Sequence, residues 1–259
     1  KHFFRPRWEI DLPFQKQMLF ASYPLMINQL LATLFFKVAI LLLEWLVKDS
    51  RVVGWYSTAY KYIDAIGIIP AYFTIAIFPL LSRYAATAKG SLLRAHRLSI
   101  KLLLIVAMPG TLLGWGLSRE MITVLGGSQY LPYAANILQV MIWYMPFGFI
   151  NSVTQYVLIA LDQQRFLTRA FAIGLGFNVL ANLILIGRFG YMAASYVAIL
   201  SEIALLIPFY VGIRKHLGPL PWIDLSWKQA VSVIPMALLF ALLPHRYLFL
   251  TLPAGLALY

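Results

Sequence analysis

The side chains most often used for chemistry are scattered in this chain. The four histidines, His2, His96, His216 and His245, fall in four separate segments, and none has a neighbour at a metal-binding spacing such as H-E-x-x-H. Cysteine is absent, which excludes thiolate metal sites, disulfides and a cysteine nucleophile. No Gly-rich loop runs into Lys-Ser/Thr, so there is no P-loop for a nucleotide. The nearest acidic pair, Glu9 and Asp11, lies on a polar stretch ahead of the first apolar run and reads as a solvated terminus. The chain is therefore expected not to be an enzyme and to carry no cofactor; a coupling ion of unknown identity is the one exception left open.

What remains is a set of polar residues inside long apolar runs. A polar group in hydrocarbon is costly, so it marks a bundle interior or a water-filled cavity. Thr33, Lys37 and Glu44 fall along one helical face, flanked by Gln29, and Ser57, Lys61 and Asp64 share a face of the next apolar run. These seven are the candidates for a substrate cavity. Lys37 has three readings: contact with an anionic head group, snorkelling to the interface, or pairing with an acid elsewhere. A Lys61–Asp64 pair one turn apart would neutralise itself. Further on, Asn151 with Gln155, Asn178 with Asn182, and Glu202 one stripe from Ser195 are candidates for interhelical hydrogen bonding or for coupling. Gly110 and Gly114 form a small-xxx-small pair suited to close helix packing, and Pro70 and Pro79 invite bends in the second run.

The elements that must position these residues are transmembrane helices. The 259 residues are 61% hydrophobic and 12% charged, with a mean hydropathy of +0.79, whereas soluble domains carry about 25% charged residues. Apolar stretches of about 20 residues or more recur along the whole chain. Spans are predicted near 18–46, 54–81, 98–117, 134–161, 167–187, 191–213 and 228–244, with an eighth starting near 247. The fold class is an all-α polytopic membrane protein of about seven to eight transmembrane helices. The segment 118–133, with Gly126, Gly127 and Pro132, is predicted to be a loop with a short interfacial helix. Residues 1–17 read as a cytoplasmic basic arm or linker, 18–213 as a six-helix lobe and 214–259 as additional helices.

The net charge of +12 follows topology and does not call for nucleic acid. Fourteen Lys and Arg fall in one set of alternate connecting segments and five in the other, which puts the start of the chain in the cytoplasm by the positive-inside rule. The expected location is the cytoplasmic membrane. Trp45, Trp55, Trp115, Trp222 and Trp227 lie near span ends, as interfacial anchors do.

A family resemblance covers residues from about 20 to 215. It is carried by the run Val53 to Lys61, by Ile69-Pro70 and Phe78 to Arg83, and then by Leu125-Gly126-Gly127 with Tyr130, Ala134-Ala135 and Leu138-Gln139. Asn178, Asn182, Phe189-Gly190-Tyr191, Ala193-Ala194 and Ser201-Glu202 complete it. In that order they resemble the polysaccharide-biosynthesis flippases of the multidrug/oligosaccharidyl-lipid/polysaccharide exporter superfamily. The resemblance implies two six-helix lobes around a central cavity, of which this chain is similar to the second, with the first lobe as its missing partner. It implies alternating access for a polyprenyl-diphosphate oligosaccharide, whose diphosphate would meet cationic cavity groups and whose tail would lie among membrane lipids. Relatives often place an acid shortly after the base of the first helix. Lys37 supplies the base here, but Ala39 stands where the acid is expected. The first Lys1 and the final apolar run are read as a portion of a longer chain, one not expected to transport alone. The rival functions are a cation or drug antiporter of the same superfamily and a membrane scaffold.

Overall fold

Polar punctuation between the apolar runs sets where each helix begins. In the computed structural model, which describes residues 11–242, the Asp11 carboxylate accepts the Phe14 amide at 3.1 Å and so caps the first helix. Pro13 stands in the first turn, where its missing N–H is no loss. This helix, α1 (Leu12–Val47), begins ahead of the expected start near 18. It ends on Lys48, whose φ of 53° reverses the chain, and Asp49 then caps α2 (Ser50–Thr87) by accepting the Arg51 amide at 2.9 Å. There follow α3 (Lys89–Gly116), the short amphipathic α4 (Ser118–Leu125) in the segment expected to carry one, α5 (Tyr133–Met141), α6 (Met145–Ala160), α7 (Gln164–Phe189), α8 (Met192–Leu217), α9 (Trp222–Ser232) and α10 (Ile234–Leu242). Among the described residues no strand is present.

Among the described residues, six helical stretches are long and apolar enough to cross a membrane: Leu25–Val47, Ser50–Thr87, Lys89–Gly116, Tyr133–Ala160, Gln164–Phe189 and Met192–Leu217. The chain is a multi-pass all-α membrane protein. Two expected spans differ in detail. The fourth is not one helix but α5 and α6 joined by a 3-10 turn at Ile142–Tyr144, with Pro146 in the first turn of α6. The seventh, expected over 228–244, is divided at Val233 into α9 and α10, because Pro235 cannot continue the ladder of α9. The eighth expected span lies outside the described residues, as do Lys1, Arg5 and Arg7 of the arm.

The packing order explains why a groove exists. α1 lies mainly against α7, α7 against α8, α8 against α6, and α6 against both α2 and α3. α1 and α2 are consecutive and joined by a tight turn, yet each finds its main partner elsewhere, so a cleft opens between them with α6, α7 and α8 as its floor. At the end that carries the α1–α2 turn, the Trp55 ring stacks on Tyr133 at 4.0 Å and meets Tyr191 at 5.8 Å. On the far side of α6, Gly110 and Gly114 let α3 approach closely. A Cβ on Gly114 would lie 2.6 Å from Ile142 Cγ1, and one on Gly110 would lie 2.9 Å from Met145 Cε.

Candidate functional site

The cleft between α1 and α2 has a volume of about 370 Å³. α1 contributes Thr33, Phe36 and Lys37; α2 contributes Tyr60, Ile63, Asp64, Gly67, Pro70 and Ala71. The floor consists of Tyr144 together with Gly148, Phe149, Asn151, Ser152 and Gln155 of α6, Phe171 of α7, and Glu202, Leu205 and Phe209 of α8. Lys37 stands ten residues before the end of α1, so it lies ~15 Å along the helix from the α1–α2 turn, about half the thickness of a hydrocarbon layer. A charged pair thus stands near the middle of the candidate membrane span Leu25–Val47.

Lys37 is paired. Its Nζ donates to Asp64 Oδ2 at 2.8 Å and to Oδ1 at 3.0 Å, and it sits 4.4 Å above the centre of the Tyr60 ring. Tyr60 is buried and held in place, its hydroxyl donating to the Phe36 carbonyl at 2.7 Å. Two residues of α2 thus hold one ammonium of α1. Of the three sequence readings of Lys37, the structure shows pairing with an acid elsewhere. That acid, absent from α1 at Ala39, comes from α2. The alternative Lys61–Asp64 pair does not form: the Asp64 carboxylate belongs to Lys37, and Lys61 is exposed and away from the cleft.

The remaining candidates divide. Thr33 lines the cleft one turn from Lys37, while Gln29 is exposed outside it and only lends its carbonyl to the Thr33 hydroxyl at 2.8 Å. Glu44 lies two turns beyond Lys37 in a separate surface depression with Lys48, Asp49, Ser50 and Val53. Ser57 is half-buried and not in the cleft. Asn151, Gln155 and Glu202, singled out as coupling or packing residues, line the same cleft as Lys37. Glu202 is 2% exposed, and its carboxylate accepts Asn151 Nδ2 at 2.7 Å while its backbone carbonyl accepts the same group at 2.8 Å. Among the described residues no cation pairs with it. Asn178 Nδ2 donates to the Phe35 carbonyl at 3.4 Å and so ties α7 to α1, and Asn182 Nδ2 turns back to Asn178 Oδ1 at 2.7 Å. Behind Tyr60 a smaller chamber of about 30 Å³ is lined by Tyr56, Tyr60, Tyr144, Asn178 and Glu202, large enough for a water or two.

Sequence reasoning missed the aromatic residues of the cleft, which composition reads as packing or anchors. Tyr60 carried a signal: it lies one turn before Asp64 on the same face of α2, so an aromatic ring and a carboxylate share one side of a helix.

The MatE family matches residues 24–184, more than half of the chain, and takes in both walls of the cleft and Asn178 and Asn182 of α7. The chain belongs to the MatE family. A solved structure of the lipid II flippase MurJ in an inward closed conformation has the same fold, with a TM-score of 0.74 at 12% identity. The alignment covers 98% of this MatE-family chain and 55% of MurJ, so the chain spans about half the length of that flippase. No curated protein matches the sequence. The chain is thus a MatE-family multi-pass membrane protein, and its cleft lies between the first two of the six stretches that, among the described residues, are long and apolar enough to cross a membrane.

Proposed function

We propose that this chain forms one lobe of a flippase that carries a polyprenyl-diphosphate oligosaccharide across the cytoplasmic membrane by alternating access, for assembly of a cell-surface polysaccharide. The observation that carries the proposal is the ammonium of Lys37, kept near mid-membrane inside an open cleft. An isolated base there would be expelled or snorkel; one fixed by Asp64 and the Tyr60 ring is a standing anion-recognition group. The apolar walls, Phe36, Ile63, Phe171, Leu205 and Phe209, fit a lipid carrier, and no covalent step is needed. A first lobe, packed over the open side of the cleft, would close the cavity. The 55% coverage of MurJ is consistent with such a partner. The basic segments around Lys89–Arg97 are assigned to the cytoplasmic face by their charge.

A second reading has its own support. Two carboxylates, Asp64 and Glu202, line the cleft against one base, a balance that suits a cation antiporter. The two separate experimentally. In cells carrying the full-length protein, Lys37→Ala is expected to abolish surface glycan while leaving the amount of inserted protein unchanged. Normal glycan from Lys37→Ala, together with cation-driven drug efflux that is lost in Asp64→Asn, would favour the antiporter.

A further inference from the structure

The Lys37–Asp64 pair spans the place where a head group has to bind. Both Asp64 oxygens contact Nζ, so the carboxylate occupies donor directions that a phosphate would use. The two side chains are 44% and 55% exposed, which leaves them open to the cleft and not sealed in protein. Their supports are unequal. Lys37 has the Tyr60 ring at 4.4 Å, and that ring is anchored to the Phe36 carbonyl. Asp64 has no hydrogen-bond donor other than Lys37 among the described residues. Lys61 on its own helix does not reach it, and the facing acid, Glu202, is engaged by Asn151. The cation is held; its carboxylate partner is held only by the cation.

On the flippase reading of this cleft, we propose that Asp64 is an internal competitor for Lys37. It neutralises the ammonium while the cleft is empty, yields it to the diphosphate of the entering lipid, and reclaims it as the lipid leaves. An unpaired ammonium near the middle of a membrane is costly, which explains why the empty cleft carries its own anion. A diphosphate brings more charge and more acceptor oxygens than one carboxylate, so it displaces Asp64. The displaced carboxylate remains beside the head group and repels it, which keeps binding weak enough for release, the condition any transport site must meet. Asp64 is thus a residue for turnover, acting through Lys37, and not a contact for the substrate.

The test uses the full-length transporter in lipid nanodiscs with farnesyl diphosphate as the binding probe, and in proteoliposomes with a fluorescent short-chain polyprenyl-diphosphate sugar for transport. Asp64→Asn is expected to bind the probe about three- to tenfold more tightly, the size expected from removing one solvent-accessible charge interaction. Transport should saturate at lower substrate and reach a lower maximal rate. Asp64→Ala should show the same split, and Asp64→Glu should restore wild-type affinity and rate. With Lys37→Gln already present, Asp64→Asn should change probe affinity by less than about twofold, because two residues acting through one contact are not additive. Unchanged or weaker binding in inserted Asp64→Asn and Asp64→Ala would overturn the proposal, as would equal tightening in the Lys37→Gln background. The underlying reading fails differently: it falls if Lys37→Gln alone binds and transports like wild type. Loss in Lys37→Gln without tightening in Asp64→Asn removes only the competitor role.

Discussion

A base and an acid in adjacent transmembrane helices are each costly to place there, and the structure shows how the cost is offset. Lys37 and Asp64 neutralise one another, and the face of Tyr60 adds an attraction of roughly 0.5–2 kcal/mol to the ammonium, depending on how dry the cleft is. Glu202 is handled by a different device, a buried hydrogen bond from Asn151 that joins α8 to α6. This gives a prediction at the same scale. Glu202→Gln retains an acceptor for Asn151 Nδ2 and is expected to melt near wild type in detergent. Glu202→Leu keeps the bond from Asn151 Nδ2 to the backbone carbonyl but strands the second N–H of that buried carboxamide, and it should lose about 1–3 kcal/mol of stability. Equal loss in the two variants would show that the charge, and not the hydrogen bond, matters at this position. At this scale the sequence was half legible. The polar residues themselves were conspicuous against an apolar background, and Lys37, Asp64, Asn151, Gln155 and Glu202 do share one cleft. Partnerships were not legible, because helical spacing relates residues within a helix. The Lys37–Asp64 contact joins residues 27 apart in sequence, and Asn151 meets Glu202 across 51.

At the scale of elements, the six candidate membrane spans of the described residues could be read because a run of about 20 apolar residues has few other uses. Breaks were harder. Pro146 and Pro235 each begin a new helix inside what hydropathy averages into one span, since a proline lowers a hydropathy sum only slightly while it removes a backbone donor and blocks the preceding turn. The small-xxx-small pair of α3 was legible and has a direct consequence. Gly114→Ala would place a methyl 2.6 Å from Ile142 Cγ1, and a backbone shift of α3 from the 3-10 turn at Ile142–Tyr144 should cost about 1–3 kcal/mol. Gly176, also within a helix, faces open space, so Gly176→Ala should be neutral or stabilising by up to ~1 kcal/mol through helix propensity. Thermal melts of the two variants in the same detergent check the pair; a Gly114→Ala melt at or above that of wild type would show that α3 and the 3-10 turn at Ile142 are not in the close contact described.

Taken whole, the described residues form a bundle with an open cleft whose apolar walls surround a charged pair. α1 and α2 each pack outward on other helices and leave their charged faces toward a shared cleft, a shape that is stable in lipid only if another protein surface or water covers it. Such a cleft was not legible in any single helix, since it arises from the order in which distant helices pair. On the proposed orientation, read from the excess of Lys and Arg in alternate connections, a cysteine at Ser128 in intact cells is expected to react with an impermeant thiol reagent while one at Lys89 does not. The reverse pattern would invert the direction of transport. The most direct measurement is flipping itself: the full-length protein in proteoliposomes, a fluorescent polyprenyl-diphosphate sugar in the lipid, and a membrane-impermeant quencher outside. The expected result is protein-dependent movement of the lipid between leaflets that falls at least about tenfold in Lys37→Ala, equivalent to ~1.4 kcal/mol or more, with no movement of a neutral polyprenol in either protein. Equal flipping by wild type and Lys37→Ala would contradict the assignment of this cleft as the site that carries the lipid's anion across the membrane.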